Sequence, residues 1–317
     1  MEKLEDYSIT KKVIQKASFL NKVGIVGCGE MGQDIALLVS SHGIDVIFIE
    51  VSNLKIKQVN SDLNRKLDDM INHWGLTSSE KRAVLSRIKG YTDFGYLKKC
   101  NIVIESISTH GYDNVIPVKK EIFKKIEDIV PRETVIATNS STIVISELAT
   151  ILKYPDRAMG IHFLAPALSV KIIEVVRSLK TSEEAYGFVK KFARAIDKKV
   201  IEVNESPGYI STRIIVPLIN EACEILLERV ATIEEIDETM KGGYGLMLGP
   251  FEMADKIGLE KVVKWMDNLY KEFGDMKYKV SPIIKRMVRA NHLGRLTGEG
   301  FYKYINGKKV TNPEILN

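Results

Sequence analysis

Lys22-Val-Gly-Ile-Val-Gly-Cys-Gly-Glu-Met-Gly32 decides the fold of this chain. An apolar run, Val23 to Val26, leads straight into a glycine turn, and an amphipathic pattern with Ile35, Ala36, Leu38 and Val39 follows it. The order is buried strand, tight turn, helix, the setting in which G-x-G-x-x-G carries physical meaning. Gly27 permits the sharp turn, Gly29 lets backbone approach a pyrophosphate, and Gly32 lets the helix pack close to the strand. The N–H groups at the helix start, at Glu30 and Met31, then face an anion.

A second strand, Asp45 to Ile49, ends in Glu50, 18 residues beyond Gly32. A carboxylate at that spacing accepts hydrogen bonds from a ribose 2′-hydroxyl and repels a 2′-phosphate, which points to NAD rather than NADP. The competing reading is an ordinary glycine turn with no ligand, and the three features in register argue against it.

The length of 317 residues suggests two domains, and 45% hydrophobic content supplies real cores. No apolar run reaches the roughly 18 residues of a transmembrane helix. The N-terminal residues carry acidic groups early and lack an apolar h-region, so a cytoplasmic protein is expected. Cys28, Cys100 and Cys223 are scattered without CxxC spacing, which argues for free thiols and against a metal site. A net charge of +5 without a basic and aromatic block does not imply nucleic acid.

Residues 1–20 read as a partly helical lead-in. After Glu50, helical patterns run over 54–74 and 78–87, the second opened by Thr77-Ser78-Ser79-Glu80. Lys55 and Lys66 lie three helical turns apart on one face, either a phosphate contact or a solvated surface. Strands over 101–107, 134–138, 158–163, 171–176 and 199–203 alternate with helices over 118–129 and 182–196. This is an α/β, doubly wound parallel sheet of Rossmann type, whose ligands lie at the carboxyl ends of the strands. Pro207-Gly208 ends the alternation, and helical patterns alone follow. The expected organisation is a lead-in (1–20), a nucleotide-binding domain (21–205) and an all-helical domain (206–317). Ile214, Ile215, Leu218, Ile219, Ala222 and Leu226 form an apolar stripe that asks for a partner surface, from which a homodimer is expected.

Hydride chemistry on an alcohol needs a base near the strand ends. Of five histidines, His42, His73, His110 and His292 have no obvious partner, whereas His162 ends the apolar strand Ala158 to Ile161. Glu174 interrupts the next apolar run, Ile172 to Val176, where a carboxylate is costly to bury unpaired. Two consecutive strands would set the two side by side, so that the carboxylate orients the imidazole. An edge-strand carboxylate beside a satisfied core histidine is the competing arrangement. Asn139-Ser-Ser-Thr142, after the strand ending at Thr138, offers hydroxyls to a substrate oxygen or an N-cap to the helix beyond.

These residues resemble the L-3-hydroxyacyl-CoA dehydrogenases, NAD enzymes that interconvert 3-hydroxyacyl-CoA and 3-oxoacyl-CoA. The likeness runs from about Lys22 to Tyr304. Asn139-Ser-Ser-Thr142, Gly160-Ile-His-Phe-Leu-Ala-Pro166 and Ile172-Ile-Glu-Val175 match the family's N-T-S-S, G-x-H-F-F-N-P and L-V-E-V segments. Pro207-Gly-Tyr-Ile210, Asn220-Glu-Ala222, Ile236-Asp237, Gly249-Pro-Phe-Glu252 and Gly298-Glu-Gly-Phe-Tyr302 follow in family order. The resemblance implies a Rossmann-type domain with a helical dimerisation domain, an acyl-CoA substrate and bound NAD. It assigns His162 as general base, Glu174 as its orienting partner, and Ser141 as a contact to the substrate oxygen. Lys119 and Asn139 join the glycine turn and Glu50 as expected cofactor residues.

The chain also departs from the family. Thr212 stands where the family has a catalytic asparagine, Ala165 replaces the asparagine of H-F-F-N-P, and Leu296 replaces the lysine of G-R-K-T-G. Residues 108–117 read as an insertion that leaves Lys119 as the remnant of a family lysine. Thr212 retains one hydrogen-bond donor and is expected to serve at the catalytic position. Competing with the acyl-CoA reading are a dehydrogenase of a free 3-hydroxy acid and a non-catalytic NAD-binding homodimer.

Overall fold

The computed structural model describes residues 20–74, 76–107, 115–305 and 308–312. Nearly all of the lead-in and most of the 108–117 segment, with His110, lie outside the described residues, as does the side chain of His73. The chain divides into two compact units: Met1–Ser140 with Val144–Glu205, and Ser141–Ile143 with Ser206–Asn317.

The first unit runs β1 (Lys22–Val26), α1 (Glu30–Ser41), β2 (Asp45–Ile49), α2 (Asn53–Trp74), α3 (Ser78–Ser86), β3 (Ile88–Tyr91), β4 (Ile102–Glu105), α4 (Val115–Glu127), β5 (Val135–Thr138), α5 (Ile145–Ala149), β6 (Ala158–Phe163), β7 (Ile172–Arg177), α6 (Glu183–Ala195) and β8 (Lys199–Asn204). Its eight strands form one sheet in the order β3-β2-β1-β4-β5-β6-β7-β8. The central strands are buried on both faces, which is why they read as continuous apolar runs. Val23, Ile25, Ile104 and Ala137 join Ile35, Val39 and Phe48 in one core. Each large aliphatic side chain buried there contributes roughly 1.5–3 kcal/mol. Thr77 caps α3 by a reciprocal pair with Glu80, as its sequence implied.

Two features differ from the expected sheet. The short strand β3, absent from the sequence reading, pairs with β2 at the sheet edge, where Lys89 and Gly90 dilute the apolar pattern. The parallel order also ends at β6: β7 runs antiparallel to it, and β8 parallel to β7. The connection 164–171 is too short for a parallel crossover of a dozen or more residues, so the chain can only return antiparallel.

The second unit is built from α7 (Ser211–Leu227), α8 (Ile233–Tyr244), α9 (Pro250–Ile257), α10 (Leu259–Phe273) and α11 (Pro282–Arg289), closed by β9 (Tyr302–Ile305) and β10 (Lys308–Thr311). The antiparallel pairing of β9 and β10 corrects the all-helical expectation. Two buried aspartates fix this end of the unit. Asp255 accepts the N–H groups of Phe301 and Tyr302 and the Tyr304 hydroxyl, at 2.8, 2.9 and 3.0 Å. Asp237 accepts those of Phe251 and Glu252 and the Tyr302 hydroxyl, at 2.8, 3.0 and 2.9 Å. Burial, with Asp237 adding to it, pushes the Asp255 carboxyl up to about 6 despite these bonds. A Cβ on Gly249 would fall 2.2 Å from Asp237 Cγ, and one on Gly300 2.1 Å from Asp255 Oδ1. The Ile236-Asp237, Gly249–Glu252 and Gly298–Tyr302 motifs are therefore scaffold around two carboxylates.

No helix among the described residues is long and apolar enough to cross a membrane.

Candidate active site

The glycine turn has the geometry its sequence implied. Gly27 lies at φ +87°, and a Cβ there would meet Ile107 Cγ1 at 2.5 Å. One on Gly32 would come within 2.4 Å of the Gly27 carbonyl oxygen, so the close packing of α1 on the turn depends on glycine. Around Gly29 such an atom would meet nothing within 4 Å. That open flank lies at the N-cap of α1, which carries no side-chain cap. The N–H groups of exposed Glu30 and half-buried Met31 begin the helix there. Glu50 ends β2 beside the turn: Oε1 accepts the Cys28 N–H at 2.6 Å and Oε2 the Val51 N–H at 3.3 Å. The carboxylate thus braces the turn and retains lone pairs for a ribose hydroxyl. Cys28 itself is fully buried, and burial pushes its thiol well above the usual range, so it is no nucleophile. An open anion cradle, a helix start and an adjacent carboxylate fit a dinucleotide.

Three strands onward stands the candidate base. His162 and Glu174 are directly opposite in the antiparallel register of β6 and β7, which puts both side chains on one face. Nδ1 of His162 lies 2.7 Å from Glu174 Oε2, with the two side chains 9% and 3% exposed. The edge-strand alternative is therefore excluded: β7 lies between β6 and β8, and its buried carboxylate is paired.

Asn139 follows β5 and gives its amide oxygen to the Phe163 N–H, at 2.9 Å, which fixes the strand end that carries His162. Ser141 is buried, and its carbonyl accepts the Gly208 N–H at 2.8 Å within the second unit. Thr142 Oγ1 in the same unit accepts from Asn268 at 2.9 Å. None of these residues caps the next helix. The N-cap of α5 is Val144, which makes no side-chain cap bond, and the Ser146 N–H instead reaches Glu205 at 2.5 Å. Thr212 is buried in the first turn of α7. Ala165 and Leu296 are both exposed.

Two lysines make contacts within the first unit. Lys119 turns inward: 2% exposed, it donates to Glu105 Oε1 at 2.5 Å and to the Ile107 carbonyl at 3.1 Å. Lys66 donates to Asp34 at 2.5 Å and to the Glu30 carbonyl at 3.3 Å, whereas Lys55 remains exposed. Sequence reasoning missed Glu105 altogether. Its signal was present, a carboxylate closing the apolar run Ile102 to Ile104, the same mark that singled out Glu174.

The first unit is thus a dinucleotide-binding domain of Rossmann type with a histidine–carboxylate pair at the carboxyl end of its sheet, the constitution of a dehydrogenase. Residues 22–206 match the family model described as "3-hydroxyacyl-CoA dehydrogenase, NAD binding domain", and residues 208–304 the model for the C-terminal domain of the same family. The chain belongs to the 3-hydroxyacyl-CoA dehydrogenase family and is an NAD-dependent oxidoreductase. It is 36% identical over 283 residues to a 3-hydroxybutyryl-CoA dehydrogenase of Clostridioides difficile, covering 89% of this chain and 99% of that one. Its fold is similar to that of (S)-3-hydroxybutyryl-CoA dehydrogenase PaaH1 from Ralstonia eutropha, with TM-score 0.80 at 38% identity over 90% of this chain and 100% of the other. It is similar also to FadB2 of M. tuberculosis, with TM-score 0.86 at 29% identity over 90% and 99% of the two chains.

Proposed function

We propose that the chain interconverts a short 3-hydroxyacyl-CoA and its 3-oxoacyl-CoA, with His162 as the base. The single observation that carries this reading is the 2.7 Å pairing of His162 Nδ1 with buried Glu174. With Nδ1–H donating to the carboxylate, Nε2 is the atom that takes the proton of the substrate hydroxyl. The imidazolium so formed is stabilised by Glu174, whose own burial keeps water from screening the pair. NAD, when bound, supplies the hydride acceptor. The Gly27–Gly32 turn, with the N–H groups of Glu30 and Met31, holds its pyrophosphate, and Glu50 holds its ribose. Asn139 positions the His162 strand end. The relatives named as 3-hydroxybutyryl-CoA dehydrogenases support a short acyl chain.

The test is NADH consumption with acetoacetyl-CoA, compared with free acetoacetate and with longer or branched 3-oxoacyl-CoAs. Turnover is expected on acetoacetyl-CoA above all others. Turnover on the free acid alone overturns the CoA reading, and none on any overturns the enzyme reading in favour of a non-catalytic NAD-binding protein.

The protein is further proposed to be a cytoplasmic homodimer. In α7, Val216, Ile219, Cys223 and Leu226 face the core of the unit, whereas Ile214 is 62% exposed and Ile215 and Leu218 are half-buried. That uncovered stripe supports a second copy as its cover. Light scattering on the intact chain is expected to return a dimer mass, and a monomer mass overturns it. Three buried, free thiols suit a reducing compartment.

A further inference from the structure

We infer that Glu105 is a positioning residue that locks the wall of the nucleotide turn to the segment steering the His162 strand end. Its side chain is fully buried at the carboxyl end of β4, between β1 and β5. Oε1 accepts the Ile107 N–H at 2.6 Å and the Lys119 ammonium at 2.5 Å, and Oε2 accepts the Thr138 hydroxyl at 2.6 Å.

Each bond leads to a part of the site. Ile107 is the wall against which Gly27 turns: a Cβ on that glycine would lie 2.5 Å from Ile107 Cγ1 and 2.9 Å from its Cα. Both ends of this wall are held, the N–H of Ile107 by Glu105 and its carbonyl by Lys119. On the other side, Thr138 Oγ1 accepts the Ser140 N–H at 3.1 Å, and the Glu105 carbonyl accepts the Asn139 N–H at 2.8 Å. These two bonds set the chain as it leaves β5, from which the Asn139 amide oxygen holds Phe163, the residue after His162.

The chemistry requires a carboxylate. All three groups facing Glu105 are donors, and the Thr138 hydroxyl, already accepting from Ser140, has its proton to give to Oε2. Only an acceptor-only side chain satisfies that set, and glutamine would turn an NH₂ group towards one of the donors. A carboxylate buried to this degree is tolerable because Lys119 neutralises it. Lys119 thereby holds Glu105 and the Ile107 carbonyl together at the turn.

The test separates positioning from mere charge balance. E105Q leaves the Lys119 charge buried without its partner and is expected to lose thermal stability. The double variant E105Q/K119M removes both charges and should recover most of that loss. Its NADH affinity, from fluorescence titration without substrate, is nonetheless expected to fall about tenfold, and kcat per NADH-binding site about 10- to 100-fold, because Ile107 and Ser140 are no longer held in place. A double variant with wild-type melting temperature, NADH affinity and kcat overturns the inference. Thr138→Val keeps it testable whatever the stability of the double variant: it cuts the arm from Glu105 through Thr138 to Ser140 and leaves the Ile107 and Lys119 bonds in place. For it, NADH affinity is expected to hold within about twofold while kcat falls about tenfold, and an unchanged kcat overturns the inference. The inference rests on the dehydrogenase reading. A wild-type chain that binds NADH but turns over no 3-oxoacyl-CoA fails that reading, whereas full affinity and turnover in the variants fail this one.

Discussion

His162→Gln is expected to lower kcat by about 10²- to 10⁴-fold while NADH affinity stays within about twofold. Glutamine approximates the reach of the imidazole and retains polar atoms for Glu174, but it has no basic nitrogen to accept a proton. The size of the loss follows from the site. His162 pairs with Glu174 inside the sheet, where both side chains are buried from solvent, so the substitution removes the proposed proton acceptor from a site where water cannot readily replace it. The nucleotide turn lies on β1 and α1, and β4 and β5 stand between β1 and the histidine strand, so the substitution leaves the Gly27–Gly32 turn and Glu50 untouched. Turnover is measured by NADH consumption on a 3-oxoacyl-CoA and affinity by NADH fluorescence. Full activity in this variant removes His162 from the role of base.

Gly32→Ala should abolish tight NADH binding, with affinity lower by about 100-fold, roughly 2.7 kcal/mol. The added methyl would lie 2.4 Å from the carbonyl oxygen of Gly27, a backbone atom that has no rotamer to escape into. Either α1 moves away from β1 or the turn opens, and both displace the N–H groups at Glu30 and Met31 that are proposed to meet the anion. Overpacking of this kind costs about 1–3 kcal/mol of stability as well. Gly29→Ala provides the contrast within one titration series. Its methyl meets nothing within 4 Å, so the fold should be unaffected while the approach of a pyrophosphate is narrowed. Equal NADH affinity in Gly32→Ala and the wild type contradicts the assignment of the turn.

How far the sequence revealed this site depended on whether a residue's cost was visible locally. The glycine turn was legible because a buried strand, three glycines and a following helix each leave a pattern within a few residues. His162 and Glu174 were legible as an expensive pair, since consecutive strands could set them side by side; their register came from the antiparallel return of β7, which the alternation of strands and helices did not announce. Glu105 carries the same mark as Glu174. It went unread because its partners, Lys119 on α4 and Thr138 on β5, lie 14 and 33 residues away and are brought together only by the sheet order. For the same reason the contact between Lys119 and Glu105 could not be read from the sequence. In the second unit, helix periodicity was clear, but the hairpin of β9 and β10 was not. Asp255, about 46 residues from the Phe301 amide it accepts, is what fixes the chain leading into it.

The proposed reaction is hydride transfer between C3 of an acyl-CoA and NAD, with the His162–Glu174 pair handling the hydroxyl proton. It is tested by NADH consumption after adding acetoacetyl-CoA to the wild-type protein and to His162→Gln side by side, at matched NADH occupancy. Rapid consumption by the wild type and a rate lower by about 10²-fold or more in the variant is the result expected. Equal rates in the two proteins, or consumption by neither, contradict it.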